Sequence, residues 1–182
     1  MPKPKDTPKK SLSAKYLRIC FGYDPETGVI KWKRRPQNHF PDTRAWKIWN
    51  TRFAGIPAGN NFRGHLLIVI NGYSYGTHRV IWTWMTGKQP PASIDHIDGN
   101  PANNRWANLR AATSSQQQWN TGLPKNNTSG FKGVRRHRSK WRVQIWIKGV
   151  LHQRGGFDTP EEAAAVYESL ARKFHGEFYR QG

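Results

Sequence analysis

The sequence predicts an α+β chain of two small modules in tandem, mixed strands and short helices first and a three-stranded antiparallel sheet packed on one helix second. Three observations lead there. The polar stretch "LPKNNTSG", Leu123 to Gly130, separates two regions of different patterning. Beyond it lie three β segments and the clearest amphipathic helix of the chain. Before it lies the pair Asn71-Gly72, set between a Leu/Ile/Val run and a tyrosine-rich run, which is the signature of a tight hairpin. With 182 residues and a hydrophobic fraction of 36%, only modest cores are expected, in a domain over 14–122, a linker over 123–130 and a second domain over 131–182.

In chain order, "MPKPKDTPKKSLSAK" is basic and proline-rich with no apolar segment behind it, so residues 1–13 are expected to be a disordered basic tail and no secretory signal. Asp24, Pro25, Thr27 and Gly28 supply turn chemistry before a short strand over Val29 to Trp32. The hairpin follows. Thr77 then stands where a helix cap is needed, "HRVIWTWMT" reads as a short helix, and Gly87, Pro90 and Pro91 end it. Ser114 precedes Gln117 by a capping-box spacing, with Gly122 as a stop, so two helical turns are expected there.

From Phe131 the strands "FKGVRRHR", "KWRVQIWIKG" and "LHQRGGF" lead into a helix that Thr159 caps, Pro160 opens and Glu162 completes as a capping box. Ala163, Val166, Tyr167, Leu170 and Phe174 form its apolar face, and Gly176 ends it.

Thirty Lys and Arg against eleven Asp and Glu give a formal charge of +19, which points to a polyanion as partner. There is no apolar run long enough to span a bilayer. Cys20 is the single cysteine, which excludes an internal disulfide framework and a cysteine-built zinc site and suits a reducing compartment.

In the middle strand of the second module, Val143, Ile145 and Ile147 share one face and Arg142, Gln144, Trp146 and Lys148 the other. Nine Lys and Arg and no acid fall between Pro124 and Phe157, so the outward face is a basic surface interleaved with tryptophan, suited to DNA. The stretch "GFKGVRRHRSKWRVQIWIKG" with "GGFDTPEEAAAVYESLARKFHGEF" resembles the AP-two domain of plant ethylene-response factors, over about a third of the chain. The resemblance implies a sheet lying in the major groove, with Arg135, Arg136, Arg142, Gln144 and Trp146 as contacting residues and Arg138, Lys140 and Lys148 on phosphates. Arg154 stands where that family has leucine before its "GxF".

The stretch "SIDHIDGNPANNRWANLR", Ser93 to Arg110, carries the chemistry. It is no EF-hand loop: counted from Asp95, position 3 is Ile97 and no glutamate closes it. Asp98, Gly99, Asn100, Asn103 and Asn104 read as turn formers. That leaves Asp95 and His96 at the end of an apolar strand. Phosphodiester hydrolysis needs an activated water and a Lewis acid; His96 can deprotonate water and Asp95 can hold a divalent ion, with Asn108 and Gln117 placed for the remaining roles. Only one of Gln116, Gln117 and Gln118 can face a site, since successive helical residues point about 100° apart.

"THRVIWTWMTG", "DHIDGN", "NNRWANLR" and the "AT" that follows resemble the HNH, or ββα-metal, nucleases, especially the homing-type group of phages and group I introns, over Val29 to Asn120. The resemblance implies His96 as general base, Asp95 as metal ligand, Asn108 as the residue orienting His96, and Gln117 completing the metal site where that family has His or Asn. Arg79, Arg105 and Arg110 are candidates to clamp the DNA backbone, and His78 is expected to be structural. The reading implied is a nicking DNA endonuclease of homing type with one divalent ion, Mg2+ or Mn2+, per site. It would act on double-stranded DNA as a monomer, with a dimer as the alternative, in the cytoplasm of a bacterial host. The alternative is a DNA-binding regulator with an inactive nuclease domain.

Overall fold

The computed structural model describes residues 12–181, so residues 1–11 of the expected tail lie outside the described residues. Leu12 and Ser13 are ordered parts of the fold: Leu12 packs on the first core, and the Ser13 side chain accepts from the Tyr16 amide to cap α1 (Ala14–Cys20). The described chain divides into two compact units, one ending at Ala111 and the other beginning at Ala112. Helices and small antiparallel sheets build both, as the α+β reading expects.

In the first unit α1 runs into β1 (Phe21–Tyr23), which pairs with β2 (Ile30–Trp32) around the Asp24–Gly28 turn. Asp24 organises that turn by accepting from the Glu26 amide and the Thr27 hydroxyl. Next comes α2 (Thr43–Phe53), which the sequence reading did not foresee; Asp42 caps it by accepting from the Ala45 amide at 2.7 Å. β3 (Asn60–Phe62), β4 (His65–Ile70) and β5 (Tyr73–Gly76) form a sheet with β4 in the middle. The β4–β5 turn is the expected hairpin, with φ of 51° at Asn71 and 79° at Gly72, the left-handed pair of a type I′ turn.

α3 (Thr77–Thr86) follows directly, but Gly76 holds its cap position and Thr77 is its first residue, buried, with no side-chain cap. Gly87, at φ 75°, ends it as expected. Leu17, Cys20 and Phe21 pack with Ile68, Ile70, Val80 and Ile81 into one core. Ile94 and Leu109 join it from β6 (Ile94–His96) and β7 (Leu109–Ala111), the strands that carry Asp95, His96 and Arg110.

The second unit opens with α4 (Ser114–Trp119). Its capping box sits one residue earlier than the sequence suggested: the Thr113 hydroxyl accepts from the Gln116 amide while the Gln116 side chain accepts from the Thr113 amide. The serine and glutamine runs offer the same spacing twice, and Thr113, with its extended backbone, takes it. Lys132 closes the far end, donating to the Trp119 and Thr121 carbonyls at 2.5 and 2.7 Å, and the Trp119 ring stacks on His175 at 4.2 Å.

β8 (Val134–His137), β9 (Lys140–Ile147) and β10 (Val150–Phe157) form the expected three-stranded sheet with β9 central, and α5 (Pro160–His175) lies across it. Val143 and Ile145 face the helix and Trp146 is 58% exposed on the other side. Arg154 lies opposite Val143 before an irregularity between Gly155 and Phe157. On α5 the buried row is Ala163, Tyr167, Ala171 and His175, at strict four-residue spacing. Val166 and Leu170 flank that row, but Phe174 is on the exposed side, contrary to the face read from sequence.

Candidate active site

β6 pairs with β7 so that Asp95 stands opposite Arg110 and His96 opposite Leu109. Because side chains alternate across the strands, Ile94 enters the core and Asp95 shares a face with Arg110. The two form an ion pair: Nε and Nη2 of Arg110 lie 2.9 and 2.8 Å from Oδ2 of Asp95, with both side chains largely buried. Arg110, expected on the DNA backbone, is therefore a partner of Asp95, as the register dictates.

The loop joining the strands is a cage of amides around Asp98. Its carboxylate accepts from the Asn100 amide and from Nδ2 of Asn103 and Asn108. Burial works against the charge of Asp98, but these hydrogen bonds outweigh it and hold the carboxyl below its usual range. Asn108 also accepts from the Asp98 amide at 3.0 Å and donates to the Asn103 carbonyl at 2.8 Å. It stitches both limbs of the loop together.

The amide beside the His96 imidazole is Asn104. Its Oδ1 lies 3.4 Å from Nε2 of His96, and its Nδ2 donates to the Ala102 carbonyl, so the oxygen is the end turned to the ring. An acceptor there places the proton of neutral His96 on Nε2 and leaves Nδ1 as the basic nitrogen. Sequence reasoning gave the orienting role to Asn108 and counted Asn104 among turn formers; in the structure Asn108 acts on the loop and Asn104 on the histidine. Burial, 2% exposure for Asn104, is what separates it from its neighbours, and no spacing rule carries that signal.

Two further supports come from outside the motif. The Tyr23 hydroxyl donates to the Asn104 carbonyl at 2.8 Å, and the Trp106 amide to the Pro25 carbonyl. Gly28, at φ 74°, lies so close that a Cβ there would stand 2.5 Å from the Arg105 nitrogen, so only glycine permits this approach. His78, in the first turn of α3, sets its ring edge-on to His96 with centroids 5.3 Å apart. A Cβ on Gly76 would meet that ring at 2.8 Å. His78 thus lies beside the site residue, a role its position in the sequence did not reveal.

Burial lowers the His96 pKa, opposed by the Asn104 bond and the Asp98 and Asp95 charges, which keeps the ring neutral and able to accept a proton at pH 7. Burial also pushes His78 down to about 4, with the His96, Arg79 and His65 charges adding to it.

Among the described residues no three His, Cys, Asp or Glu side chains converge on one point. A donor set this sparse, a carboxylate with amide oxygens, fits a hard cation that keeps several waters and completes its shell with phosphate oxygens. Arg79 donates from Nη1 to the Pro91 and Ala92 carbonyls on the approach to β6; Arg105 is exposed. Gln117 lies in α4, half-buried; Gln116 is part of the capping box and Gln118 is exposed.

On the second unit, Arg135 and Arg142 pair across the outward face with Gln144 and Trp146 alongside. Arg136 alternates to the other side of β8, its guanidinium over the Trp141 ring, and Lys140 is ion-paired with Asp158. Arg138 and Lys148 are exposed at turns with positive φ.

Residues 75–118 match the HNH endonuclease family. The chain is 39% identical over 106 residues to Protein 3.8 of Escherichia phage T7, covering 57% of this chain and 87% of that protein. It is 36% identical over 104 residues to an uncharacterized HNH endonuclease of Acanthamoeba polyphaga mimivirus, covering 56% of this chain and 54% of that one. No solved structure matches the chain. No helix among the described residues is long and apolar enough to cross a membrane.

Proposed function

From the premise that this chain belongs to the HNH endonuclease family and is a DNA endonuclease, we propose that it nicks double-stranded DNA from a single-metal site, with His96 as general base. The observation that carries this reading is the seating of His96: a neutral, buried imidazole at a strand end, beside a carboxylate and oriented by Asn104.

Asp95 and Gln117 would hold the divalent ion, Mg2+ or Mn2+, whose contribution when bound is to polarise the scissile phosphate. The remaining chemistry belongs to the chain. Nδ1 of His96 takes a proton from water, whose oxygen bonds to phosphorus as the bond to the leaving oxygen breaks. Asn104 Oδ1 accepts the hydrogen bond of Nε2–H throughout, so the ring keeps its tautomer and its aim. Asn108 and Asp98 hold the loop that delivers Asn104. One such site per chain cuts one strand at a time.

The second unit serves as the DNA reader in this proposal, as an AP-two-like module with the outward face of β8 and β9 in the major groove. Arg135, Arg142, Gln144 and Trp146 are its reading set, with Arg138 and Lys148 on phosphates. A phage or mobile-element setting, and a homing role, fit the viral relatives.

Supercoiled plasmid carrying the target, incubated with Mg2+, should pass to open circle before any linear form. His96→Ala should bind DNA as wild type does and cleave about 10²- to 10⁴-fold more slowly. Gln117→Asn, which keeps the amide, should preserve cleavage and Gln117→Leu should lose it. Linear product from the first turnover, or full activity in His96→Ala, would sink the reading.

A further inference from the structure

The first unit contains a surface that the HNH motif does not use. From Thr27 to Ile94 the chain carries ten Lys and Arg and one acid, Asp42, and that acid caps α2. At about 100° per residue, Arg44, Lys47, Ile48, Thr51 and Arg52 fall on one arc of α2, and all five are exposed. Ala45, Trp46, Trp49, Asn50 and Phe53 fall on the other. Among the described residues no carboxylate pairs with any of the three cations, and Ile48 is 57% exposed in their midst.

The inner face is anchored with unusual firmness for an 11-residue helix. Arg35, 7% exposed, lies over the Phe40 and Trp49 rings at 5.0 Å and the Trp32 ring at 5.8 Å. Asn50 accepts from the Arg35 amide and donates to its carbonyl, and Trp46 Nε1 donates to the same carbonyl at 2.8 Å. This cluster ties α2 to β2. β2 belongs to the hairpin whose turn supports Asn104, so the helix and the catalytic loop are parts of one frame.

We propose that the outward face of α2 is a second DNA-backbone surface, separate from the C-terminal reader. It grips duplex flanking the cut and fixes the register of the scissile phosphate against His96. Its chemistry suits a phosphodiester backbone: cations without counter-charges, spaced over about 12 Å from Arg44 to Arg52 at 1.5 Å per residue, comparable with the width of the major groove. Ile48 between them offers an apolar surface to deoxyribose. Burying a surface of this kind against an anionic strand releases counterions, the main source of backbone affinity.

The inference rests on DNA being the substrate, and the test separates the two. The full chain carrying Arg44→Ala, Lys47→Ala and Arg52→Ala is compared with wild type on plasmid cleavage and on duplex binding across a salt series. Lys15→Ala, Lys88→Ala and Lys173→Ala together serve as a variant of equal charge loss, and Arg44→Lys with Arg52→Lys as the charge-retaining one. The α2 variant should lower the slope of log K against log salt by roughly two to three, at about 0.9 for each phosphate no longer neutralised. Its KM should rise about tenfold or more, with kcat within twofold of wild type and circular dichroism unchanged. The lysine variant should keep the wild-type slope. An unchanged slope and KM, or an equal fall in the charge-matched variant, overturns the proposal; absence of cleavage by wild type overturns the endonuclease reading instead.

Discussion

Asn104 and His78 hold the imidazole of His96 from two sides, one through an amide oxygen and the other through the edge of a ring. Removing the amide takes away the hydrogen bond that orients His96, so Asn104→Ala should lower kcat about 10- to 100-fold with little change in KM, as loss of an orienting partner does at other sites. Single-turnover cleavage at saturating DNA would measure it. His78 makes a pH prediction. Its folded pKa of about 4 lies below the unfolded value near 6.5, so protonation favours the unfolded chain. Stability is then intact above pH 6.5 and lost as pH falls from 6.5 towards 4, by about 1.4 kcal/mol per unit from this one residue. Denaturant titrations at pH 7.5 and 5 should show His78→Phe losing less than wild type. The place of Asp95 and His96 at the end of a strand was legible in the sequence because two polar residues close an apolar run there. Asn104 was not, because in a stretch holding Asn100, Asn103, Asn104 and Asn108 the residue type does not say which amide is buried.

Among the elements, those with a backbone-level signature were readable. Asn71-Gly72 specifies a left-handed pair, and Thr159-Pro160 with Glu162 specifies a helix start; both stand where expected, although Glu162 reaches the Asp158 amide rather than that of Thr159. α1 and α2 were missed for different reasons. α1 has 7 residues and runs straight into β1, so its apolar positions blend with those of the strand. α2 carries two tryptophans and a phenylalanine, residues of modest helix propensity, and it holds through the Arg35 cluster rather than through local preference. α4 is likewise held from outside. Lys132, whose pKa burial pushes down to about 8, closes its C-terminal carbonyls, so Lys132→Met should leave the half-buried Trp119 carbonyl without its lysine donor. The expected cost is about 1 to 3 kcal/mol, read as faster amide exchange over residues 116–121 and a lower denaturation midpoint of the second unit.

At the level of the whole chain, a charge of +19 governs association with DNA. If six to ten phosphates are neutralised, affinity should fall by roughly 10³ to 10⁵ between 50 and 200 mM salt, and a fall under tenfold would argue against so extensive an interface. The sequence reading set the division at the polar stretch 123–130. What the sequence did not convey is where compactness changes hands. Residues 75–118 form one uninterrupted family match, yet the chain passes from the first compact unit to the second between Ala111 and Ala112, inside that match. α4 therefore takes its support from Lys132 and His175, which the motif does not include. This bears on how such chains can be recombined: a foreign reader spliced in after Asn120 would inherit a helix stripped of its stack and its lysine clasp. Viable chimaeras should instead keep α4 together with Lys132 and His175, or bring a matching lysine and histidine with them.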